Sequence, residues 1–291
     1  MRIFDDCFKN KFSYEEIKSS SKVSLLNSDD YYINIIIGFR NRAEFLIPLI
    51  EYFNAAIKTF EISTGKKVCL TFVEHDSNPK HEYILDNNVN YLWTQGNVVN
   101  QYSRSFAYNF GVKYGNNAKY YLLHDLDILV KQNFFLELVE NLKDFKCLQP
   151  YGYRHVLYMS NSLTQQFLLG QVDINTLTIG SDDVSPPDII GSKGGSIFIE
   201  KETFLEVGGF DPELFWGYAA EDQIFWDKVS TITPIGYSDR PSIDMFHMWH
   251  EPTHSTNPLL FLMENYMVEF RSMSSENKLK FLSLKKDFFN E

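Results

Sequence analysis

The sequence has few cysteines, no excess of positive charge and no long apolar segment. Its three cysteines, Cys7, Cys69 and Cys147, have the spacing of neither a disulfide framework nor a zinc site. The formal net charge of −11 argues against a general nucleic-acid binder, because affinity for a phosphate backbone comes mainly from clustered Lys and Arg. An anionic ligand would therefore need a metal ion and a few well-placed arginines.

The same absences bear on location. No segment approaches the roughly 18 apolar residues that a membrane-spanning helix needs, and residues 1–6 do not start the apolar core of a signal peptide. We therefore expect a cytoplasmic protein that is at most peripheral at the inner face of a membrane. With 291 residues, of which 44% are hydrophobic, the chain is long enough to bury one large core.

Apolar segments with two different periods alternate along the first half of the chain. Residues 32–39 form a β-branched run suited to a buried strand, and residues 43–60 have apolar side chains at helical spacing. Further strands are predicted at 67–74, 91–94 and 120–124, and a further helix at 105–114. This alternation predicts an α/β fold with a mostly parallel central sheet flanked by helices, in which ligands gather at the carboxyl ends of the strands.

The second half has a weaker pattern. Helices are predicted at 134–142, 201–207 and 220–229, strands at 146–151 and 195–200, and loops over a cleft at 153–192, which is rich in Gly, Ser, Asp and Pro. We expect a single main domain at 31–258, with a nucleotide-binding half at 31–130 and an acceptor and metal half at 131–258. Helical appendages are predicted on both sides of it, at 1–30 and 259–291.

The strand at 120–124 leads into the most informative motif of the chain. Asp125 and Asp127 are two carboxylates separated by one residue, at the carboxyl end of an apolar strand. Such a position offers hard oxygen ligands where a sheet opens to solvent, which is the usual place for a divalent cation that holds a diphosphate. By itself an Asp-x-Asp triplet is as often a solvated turn, so the motif needs support from the rest of the chain.

Six segments in chain order supply that support. They are Gly38-Phe39-Arg40-Asn41-Arg42, Tyr102-Ser103-Arg104 with Asn109-Phe110-Gly111, Asp125-Leu126-Asp127, Gly194-Gly195-Ser196 leading to Gly208-Gly209-Phe210-Asp211, Trp216-Gly217-Tyr218-Ala219-Ala220-Glu221-Asp222, and His247-Met248-Trp249-His250-Glu251-Pro252. Together they resemble the β-1,4-galactosyltransferase family and its bacterial relatives, including the chondroitin-polymerase type of transferase domain, over residues 32–258. The resemblance implies a GT-A, Rossmann-like fold. It also implies an inverting glycosyltransferase that moves a hexose or an N-acetylhexosamine, with galactose or N-acetylgalactosamine favoured, from a UDP-sugar to a glycan hydroxyl.

A metal site is implied as well. The resemblance implies that Asp127 binds Mn²⁺ (or Mg²⁺) and that Asp125 faces the ribose or helps to orient the metal. His247 and His250 lie late in the chain, and a neutral imidazole suits Mn²⁺. Because the bacterial relatives place a ligand directly before such a Glu-Pro run, His250 is the preferred partner of Asp127 and His247 is the second choice. A single histidine, however, is more often structural than a ligand.

The resemblance implies that the turn after the first strand holds the nucleotide. Arg40 and Arg42 offer planar donor groups suited to phosphate, and Phe39 is expected to stack on the uracil ring. Arg104 would reach the same pocket, and Asp76, just past the second strand, would contact the uracil or the ribose. Without the resemblance, the two arginines could instead cap a surface loop.

Gly194 and Gly195 lack side chains, so the backbone there can pass close to a sugar or to another strand. A simple bulge explains the pair equally well. In animal members of the family, a bulky aromatic residue two positions before this pair gates the C2 substituent of the donor. Ser192 stands at that position here, which leaves room for an N-acetyl group.

Two adjacent acids, Glu221 and Asp222, lie in the first turn of a predicted helix. By resemblance Asp222 is the catalytic base, Glu221 contacts the acceptor, and Trp216 and Tyr218 belong to a mobile lid over it. The family usually has glycines where this chain has Ala219-Ala220, which bears on the flexibility of the lid. The simpler alternative is that the acids only stabilise the helix dipole.

Other classes of protein remain open. A metal-dependent phosphohydrolase or nucleotidyltransferase also uses Asp-x-Asp at a strand end, but usually on the first strand or beside a phosphate-binding loop. The main alternative is a degenerate, non-catalytic GT-A protein that serves as a glycan-binding or scaffold subunit.

The composition indicates a cellular setting. A chain rich in Asn, Lys, Ile, Tyr and Phe is typical of a low-GC bacterium, where such an enzyme would build capsule or O-antigen on a glycan acceptor that can be lipid-linked. The basic segment 277–286 could touch an anionic membrane surface. It fits a solvated helix packed on the core at least as well.

Overall fold

The computed structural model describes residues 21–27, 30–95, 102–142, 145–149, 156–186, 194–211, 220–237, 244–251, 260–286 and 289. The strands in these residues are β1 (Ser21–Ser24), β2 (Tyr31–Phe39), β3 (Val68–His75), β4 (Asn90–Thr94), β5 (Ala118–Asp125), β6 (Ile128–Val130), β7 (Cys147–Gln149), β8 (Leu157–Met159), β9 (Val184–Ser185), β10 (Ser196–Glu200), β11 (Gly236–Tyr237) and β12 (Met245–His247). The α-helices are α1 (Ala43–Thr64), α2 (Arg104–Tyr114), α3 (Phe134–Asn141), α4 (Asn161–Leu168), α5 (Lys201–Glu206), α6 (Glu221–Ile232), α7 (Leu260–Ser272) and α8 (Ser275–Lys285), with short 3₁₀ helices at Glu82–Asn87 and Ile174–Thr176.

The central sheet has eight strands in the order β1-β4-β3-β2-β5-β10-β7-β11. Strands β4, β3, β2 and β5 are parallel to one another, whereas β10 runs antiparallel to both β5 and β7. The predicted α/β fold with a large sheet between helices is confirmed. Its parallel part is the run from β4 to β5, and antiparallel pairs occur on both sides of this run, between β1 and β4 and between β5 and β10.

The apolar run of β2 reflects a strand that is covered on both faces. Ile35 and Ile37 pack with α1 on one face, while Ile36 packs with α2 on the other, as the two-residue period of a strand requires. Gly111 lets α2 lie very close to the sheet, because a Cβ there would be 2.4 Å from Ile36 Cγ2. This close packing places the first residue of α2, Arg104, beside the carboxyl ends of the strands.

A second sheet, in the order β6-β12-β8-β9, was not expected from the sequence. The prediction of loops across 153–192 is wrong for its described part, which contains β8, α4 and β9. These strands are only two or three residues long, too short for a readable period of two. In the sheet, β12 pairs antiparallel with β6, so that His247 lies opposite Ile128.

The two ends of the described chain differ from each other. Residues 21–24, predicted to be helical, form the edge strand β1 on β4 instead, and residues 1–20 lie outside the described residues. The C-terminal helices α7 and α8 pack against Ile224 of α6 through Tyr266, Phe270 and Phe281. Among the described residues, no helix is both long enough and apolar enough to cross a bilayer. The division into domains stays a prediction.

A buried ion cluster fixes α8 to the segment that precedes α6. Lys285 Nζ lies 2.9 Å from Asp211 Oδ1, and Lys228 Nζ lies 3.1 Å from Asp211 Oδ2. Burial opposes ionisation of Asp211, but the two lysines lower its pKa to about 2, so the cluster is charged. Lys285 is one of the basic residues on which the membrane hypothesis depends, and its side chain is instead buried in an ion pair with Asp211.

Candidate functional site

The candidate site lies at the carboxyl edge of the parallel half of the central sheet. β5 ends at Asp125, which pairs in register with Gly38 near the end of β2. Helix α2 begins beside these strand ends, and Ser103 caps it by accepting a hydrogen bond of 3.2 Å from the Phe106 N–H. The Asp-x-Asp motif and Arg104 thus meet at one edge of the sheet.

Three side chains from two distant segments converge there. Asp127, His247 and His250, which we call the metal cluster, each offer a ligand atom, and these atoms all lie within 4.8 Å of one another. His250 Nε2 is 3.2 Å from Asp127 Oδ2, and His247 Nε2 is 3.8 Å from Asp127 Oδ1. The second sheet holds them together, because the Met248 N–H donates to the Asp127 carbonyl at 2.8 Å. Both histidines therefore reach Asp127, although the sequence offered them as first and second choice.

The chemistry of the metal cluster fits a divalent transition ion. One carboxylate and two imidazoles form a donor set that Mn²⁺ accepts. His250 Nδ1 lies 2.9 Å from the Glu251 carbonyl oxygen, which leaves Nε2 as the ring nitrogen that is turned towards Asp127. Burial opposes ionisation of Asp127, but His247, His250 and Arg42 together hold its pKa well below the ordinary value. The carboxylate is thus ionised and ready to bind a cation.

Arg42 lies against the metal cluster. Its guanidinium forms an ion pair with Asp127 Oδ2, and its Nη2 is 3.3 Å from His250 Nδ1. Arg42 and the preceding Asn41 have left-handed backbone conformations, with φ of 59° and 62°, which residues other than glycine seldom adopt. The turn after β2 therefore directs this positive charge at the cluster instead of at bulk solvent.

Arg40 and Asp76 also meet, at the ends of β2 and β3. Arg40 Nε lies 3.4 Å from Asp76 Oδ1, and Lys80 forms an ion pair with the other oxygen. The backbone of Asp76 accepts a hydrogen bond of 2.9 Å from Trp93 Nε1. Burial raises the pKa of Asp76. Hydrogen bonds from Lys80 and from the Ser77 N–H, together with the charge of Arg40, more than offset this effect and bring the pKa below its ordinary value.

Phe39 does not have the place that the sequence suggested. Its side chain is only 2% exposed, and its ring packs edge-on against Phe72 at 6.0 Å and His81 at 5.4 Å between centroids. The expectation that it stacks on a base is therefore wrong for this structure. Phe39 is the last residue of β2, and the alternation of the strand turns its side chain into the core.

Arg104 joins three carboxylates, and we call these four residues the Arg104 cluster. Its Nη1 donates to Asp125 Oδ2 at 2.7 Å, and its Nη2 donates to Glu221 Oε1 at 2.7 Å. Its Nε donates to the same Glu221 oxygen at 3.1 Å, and Nη2 also donates to Asp222 Oδ2. The Tyr108 hydroxyl donates to the remaining oxygen of Asp125 at 2.8 Å. The end of β5 and the start of α6 are therefore tied together by one guanidinium.

The two acids of α6 have perturbed proton affinities. Burial, opposed by Arg104 and assisted by Asp222, raises the pKa of Glu221 to about 7. Burial likewise raises the pKa of Asp222 above its ordinary value, against the effect of Arg104 and together with that of Asp125. Glu221 Oε2 and Asp222 Oδ1 are buried and accept no hydrogen bond from a described residue. Such oxygens are suited to a ligand hydroxyl and to proton transfer.

The structure explains why residue 194 is a glycine. A Cβ at this position would lie 2.1 Å from Asp222 Oδ2 and 3.4 Å from Arg104 Nη1. The backbone before β10 therefore passes directly against the Arg104 cluster, and only glycine leaves room for it. The neighbouring Gly195, with φ of 89°, accepts a hydrogen bond of 2.8 Å from the Asp125 N–H. In this structure the close partner of the glycine pair is the protein itself.

Tyr102 and Tyr108 are members of the site that the sequence did not single out by role. The Tyr102 hydroxyl lies over Gly38, where a Cβ would be 3.0 Å away. Its pKa is raised by burial and by Asp125, with further effects of Asp127 and Arg42, so it adjoins both clusters. Tyr102 belongs to a motif segment, and Tyr108 faces the sheet from α2, but a sequence pattern does not say which carboxylate a phenol will reach. Trp216, Tyr218 and Ser192 lie outside the described residues.

The chain matches no model of a known protein family and no curated protein. Among solved structures, it is similar to the catalytic domain of Drosophila β1,4-galactosyltransferase 7 in complex with xylobiose, with 13% identity, a TM-score of 0.48, and coverage of 78% of this chain and 75% of that one. A mutant of the same Drosophila enzyme with manganese, UDP-Gal and xylobiose has 13% identity, a TM-score of 0.47, and coverage of 81% and 79%.

GalNAc-T7 with UDP, GalNAc and Mn²⁺ has 17% identity and a TM-score of 0.53, with coverage of 82% of this chain and 48% of that one. At such identities the likeness concerns the fold alone, and the last comparison, with a TM-score above 0.5, is the one that carries it. The central sheet, its flanking helices and this likeness together show that the chain has a GT-A fold.

Proposed function

We propose that the protein is a metal-dependent glycosyltransferase that moves a hexose or an N-acetylhexosamine from a UDP-sugar to a glycan hydroxyl with inversion. The observation that carries the proposal is the pairing of two clusters at one sheet edge: a carboxylate and two imidazoles suited to Mn²⁺, and a pair of buried acids held by Arg104. Chance would seldom place a ligand set and a candidate base together at the ligand-binding edge of a GT-A fold.

The metal cluster would serve the leaving group. Asp127, His247 and His250 would hold the cation, which neutralises the charge that develops on the departing diphosphate. Arg42, already beside these ligands, would add a donor group for a phosphate oxygen. The structure of GalNAc-T7 contains UDP, GalNAc and Mn²⁺ on the same fold, which supports this class of donor.

The Arg104 cluster would serve the acceptor. The acceptor hydroxyl oxygen attacks the anomeric carbon while the bond from that carbon to the phosphate oxygen breaks, and the hydroxyl proton passes to Asp222. Glu221 would hold a neighbouring hydroxyl of the acceptor through its unpaired Oε2. Because the acceptor oxygen attacks in one step from the face opposite the departing UDP, an α-linked donor gives a β-linked product, and no covalent bond to the protein forms.

The sequence resemblance is what supports the finer part of the proposal, the identity of the substrates. We favour galactose or N-acetylgalactosamine as the transferred sugar. A bacterial capsule or O-antigen, built on an acceptor that can be lipid-linked, is the proposed setting. Cytoplasmic location and any contact of α8 with a membrane surface belong to this proposal too.

The test is release of UDP from UDP-galactose, UDP-N-acetylgalactosamine, UDP-glucose and UDP-N-acetylglucosamine, with Mn²⁺ or EDTA and with or without mixed glycan acceptors. We expect release from one donor that is abolished by EDTA and increased by an acceptor. Absence of release in all reactions, together with absence of Mn²⁺-dependent UDP binding, would overturn the proposal in favour of a non-catalytic glycan-binding or scaffold protein.

A further inference from the structure

One guanidinium compensates three carboxylates in the Arg104 cluster. Glu221 and Asp222 form ion pairs with Arg104, and no other Lys or Arg of the described residues pairs with either acid. The side chains concerned are largely buried, with exposed fractions of 17% for Arg104 and 16% for Asp222. In such surroundings solvent screens little, so the position and charge of Arg104 weigh heavily on its partners.

The backbone of Arg104 lies at the well-anchored start of α2. It begins α2, whose first turn is capped by Ser103, and the Ser103 N–H donates to His75 Nδ1 at 2.9 Å. Gly111 in the same helix allows the close contact with β2 described above. In contrast, α6 has no side-chain cap at Ala220. The guanidinium therefore links the capped start of α2 to the uncapped start of α6.

We infer that Arg104 is a positioning residue that holds Asp222 beside the end of β5 and keeps its carboxylate in the form that accepts a proton. The inference rests on the proposed function, in which Asp222 receives the proton of the attacking hydroxyl. The inference goes beyond the proposed function because it assigns control of the orientation and the charge state of Asp222 to Arg104. Arg104 acts through Asp222 and need not touch the substrate.

The charges around Asp222 set the direction of the effect. Arg104 faces it from α2, Asp125 from β5 and Glu221 from α6, while the Tyr108 hydroxyl faces Asp125. Of these, only Arg104 favours the ionised form of Asp222, because Asp125 is a like charge and burial also favours the neutral form. Loss of the guanidinium would therefore raise the pKa of Asp222, since burial and a neighbouring carboxylate would remain.

The deciding experiment is the pH dependence of kcat for UDP release with acceptor in Arg104→Met and Arg104→Lys. A base must be deprotonated to act, so the acidic limb of the profile is expected to move to higher pH by about one to three units in Arg104→Met. Arg104→Lys keeps the charge but not the planar donors, so its limb should stay near that of the wild type while kcat falls at every pH.

Tyr108→Phe is the matched control, because it removes a hydrogen bond from Asp125 without touching either acid of α6. Its acidic limb is expected to stay in place. Thermal melting and Mn²⁺-dependent UDP binding, measured on all variants, show that the fold and the metal cluster persist. A uniform loss of kcat in Arg104→Met with an unmoved limb would show a purely structural role and overturn the inference.

A second readout does not depend on transfer. In protein labelled with ¹³C at the Asp side-chain carboxyl carbons, the resonance of Asp222, assigned through Asp222→Asn, should titrate at higher pH in Arg104→Met than in the wild type. An unchanged titration overturns the inference. If the wild type releases no UDP but the resonance shifts as expected, the proposed function fails while the role of Arg104 stands. If Arg104→Met does not fold, Arg104→Lys decides, since a limb displaced as far as one unit would contradict the charge argument.

Discussion

The metal cluster and the Arg104 cluster lie at the same sheet edge but are held in different ways. The ligands of the metal cluster come from the turn between β5 and β6 and from the end of β12 with the residues after it, and backbone pairing of β12 with β6 sets the distance between them. In the Arg104 cluster, no backbone ladder joins α6 to β5 among the described residues, and side-chain ion pairs make the connection. A ladder tolerates the loss of one side chain, whereas a cluster built on one guanidinium does not.

The variant Asp222→Asn tests whether the metal cluster and the Arg104 cluster act independently. We expect transfer to fall by about 10²- to 10⁴-fold, because the amide cannot accept the proton, while Mn²⁺ and UDP still bind at the separate metal cluster. The measurements are kcat for UDP release and the UDP affinity with Mn²⁺. Full activity in this variant would refute the assignment of the base, and lost UDP binding would show that the two clusters are not independent.

Removal of a ligand should break the other cluster alone. His247→Ala and His250→Ala are each expected to weaken Mn²⁺ binding by at least about 10- to 100-fold, since changes at residues that merely support ligands already cost that much. Mn²⁺ titration followed by calorimetry provides the value. The exposed Asp182→Asn is the control for loss of one surface acid. If only His250→Ala weakened binding, His247 would not be a ligand in spite of its position.

The variant Gly194→Ala is expected to displace the proposed base, Asp222, without removing it. In Gly194→Ala, the new Cβ would lie 2.1 Å from Asp222 Oδ2, so the carboxylate must shift. A displacement of about 1 Å can cost roughly 100-fold in rate, and we expect kcat to fall on that order with little change in Mn²⁺ affinity. Gly180→Ala, whose Cβ would meet only Thr178 Oγ1 at 3.9 Å, is the matched control. Equal activity of both variants would mean that the site adapts to the methyl group.

The smallest expected effect concerns stability and pH. Since burial raises the pKa of Glu221 from 4.5 to about 7, its neutral form is favoured in the folded state. The resulting stabilisation is full below pH 4.5 and is lost as the pH rises through about 7. Glu221→Gln mimics the neutral form, so its free energy of unfolding relative to the wild type should increase between pH 5 and pH 8, by on the order of 1–3 kcal/mol.

Urea unfolding at several pH values measures this difference, with the exposed Glu206→Gln as the control for loss of one carboxylate. A difference between Glu221→Gln and the wild type that is constant across the range would contradict the raised pKa. It would also indicate that Arg104 compensates Glu221 more fully than burial opposes it.

The candidate site was largely visible in the sequence because its residues occur in short motifs at the ends of regular elements. Asp125 and Asp127 follow an apolar strand, and Glu221 and Asp222 start an amphipathic helix, so their placement at the sheet edge follows from the periodicity of these elements. The choice between His247 and His250 could not be made in the same way. It depends on a three-residue strand pairing with another across more than a hundred residues.

The orientation of the Phe39 side chain could not be predicted from the sequence. Its position at the end of β2 was predicted, but which face its ring occupies depends on the packing of Phe72 and His81 against it. The second sheet was missed for a related reason, since strands of two or three residues have no measurable period and exist only through their partners.

The α/β class, the order of the main strands and helices, and the chemical types gathered at the strand ends could be read from the amino-acid sequence, because these depend on local periodicity and short motifs. The folded structure was needed to show that both histidines face Asp127, that Gly194 makes room for Asp222, and that Arg104 holds three carboxylates. These are contacts between segments far apart in the chain, and their geometry is set by sheet register and helix packing, which no single segment encodes.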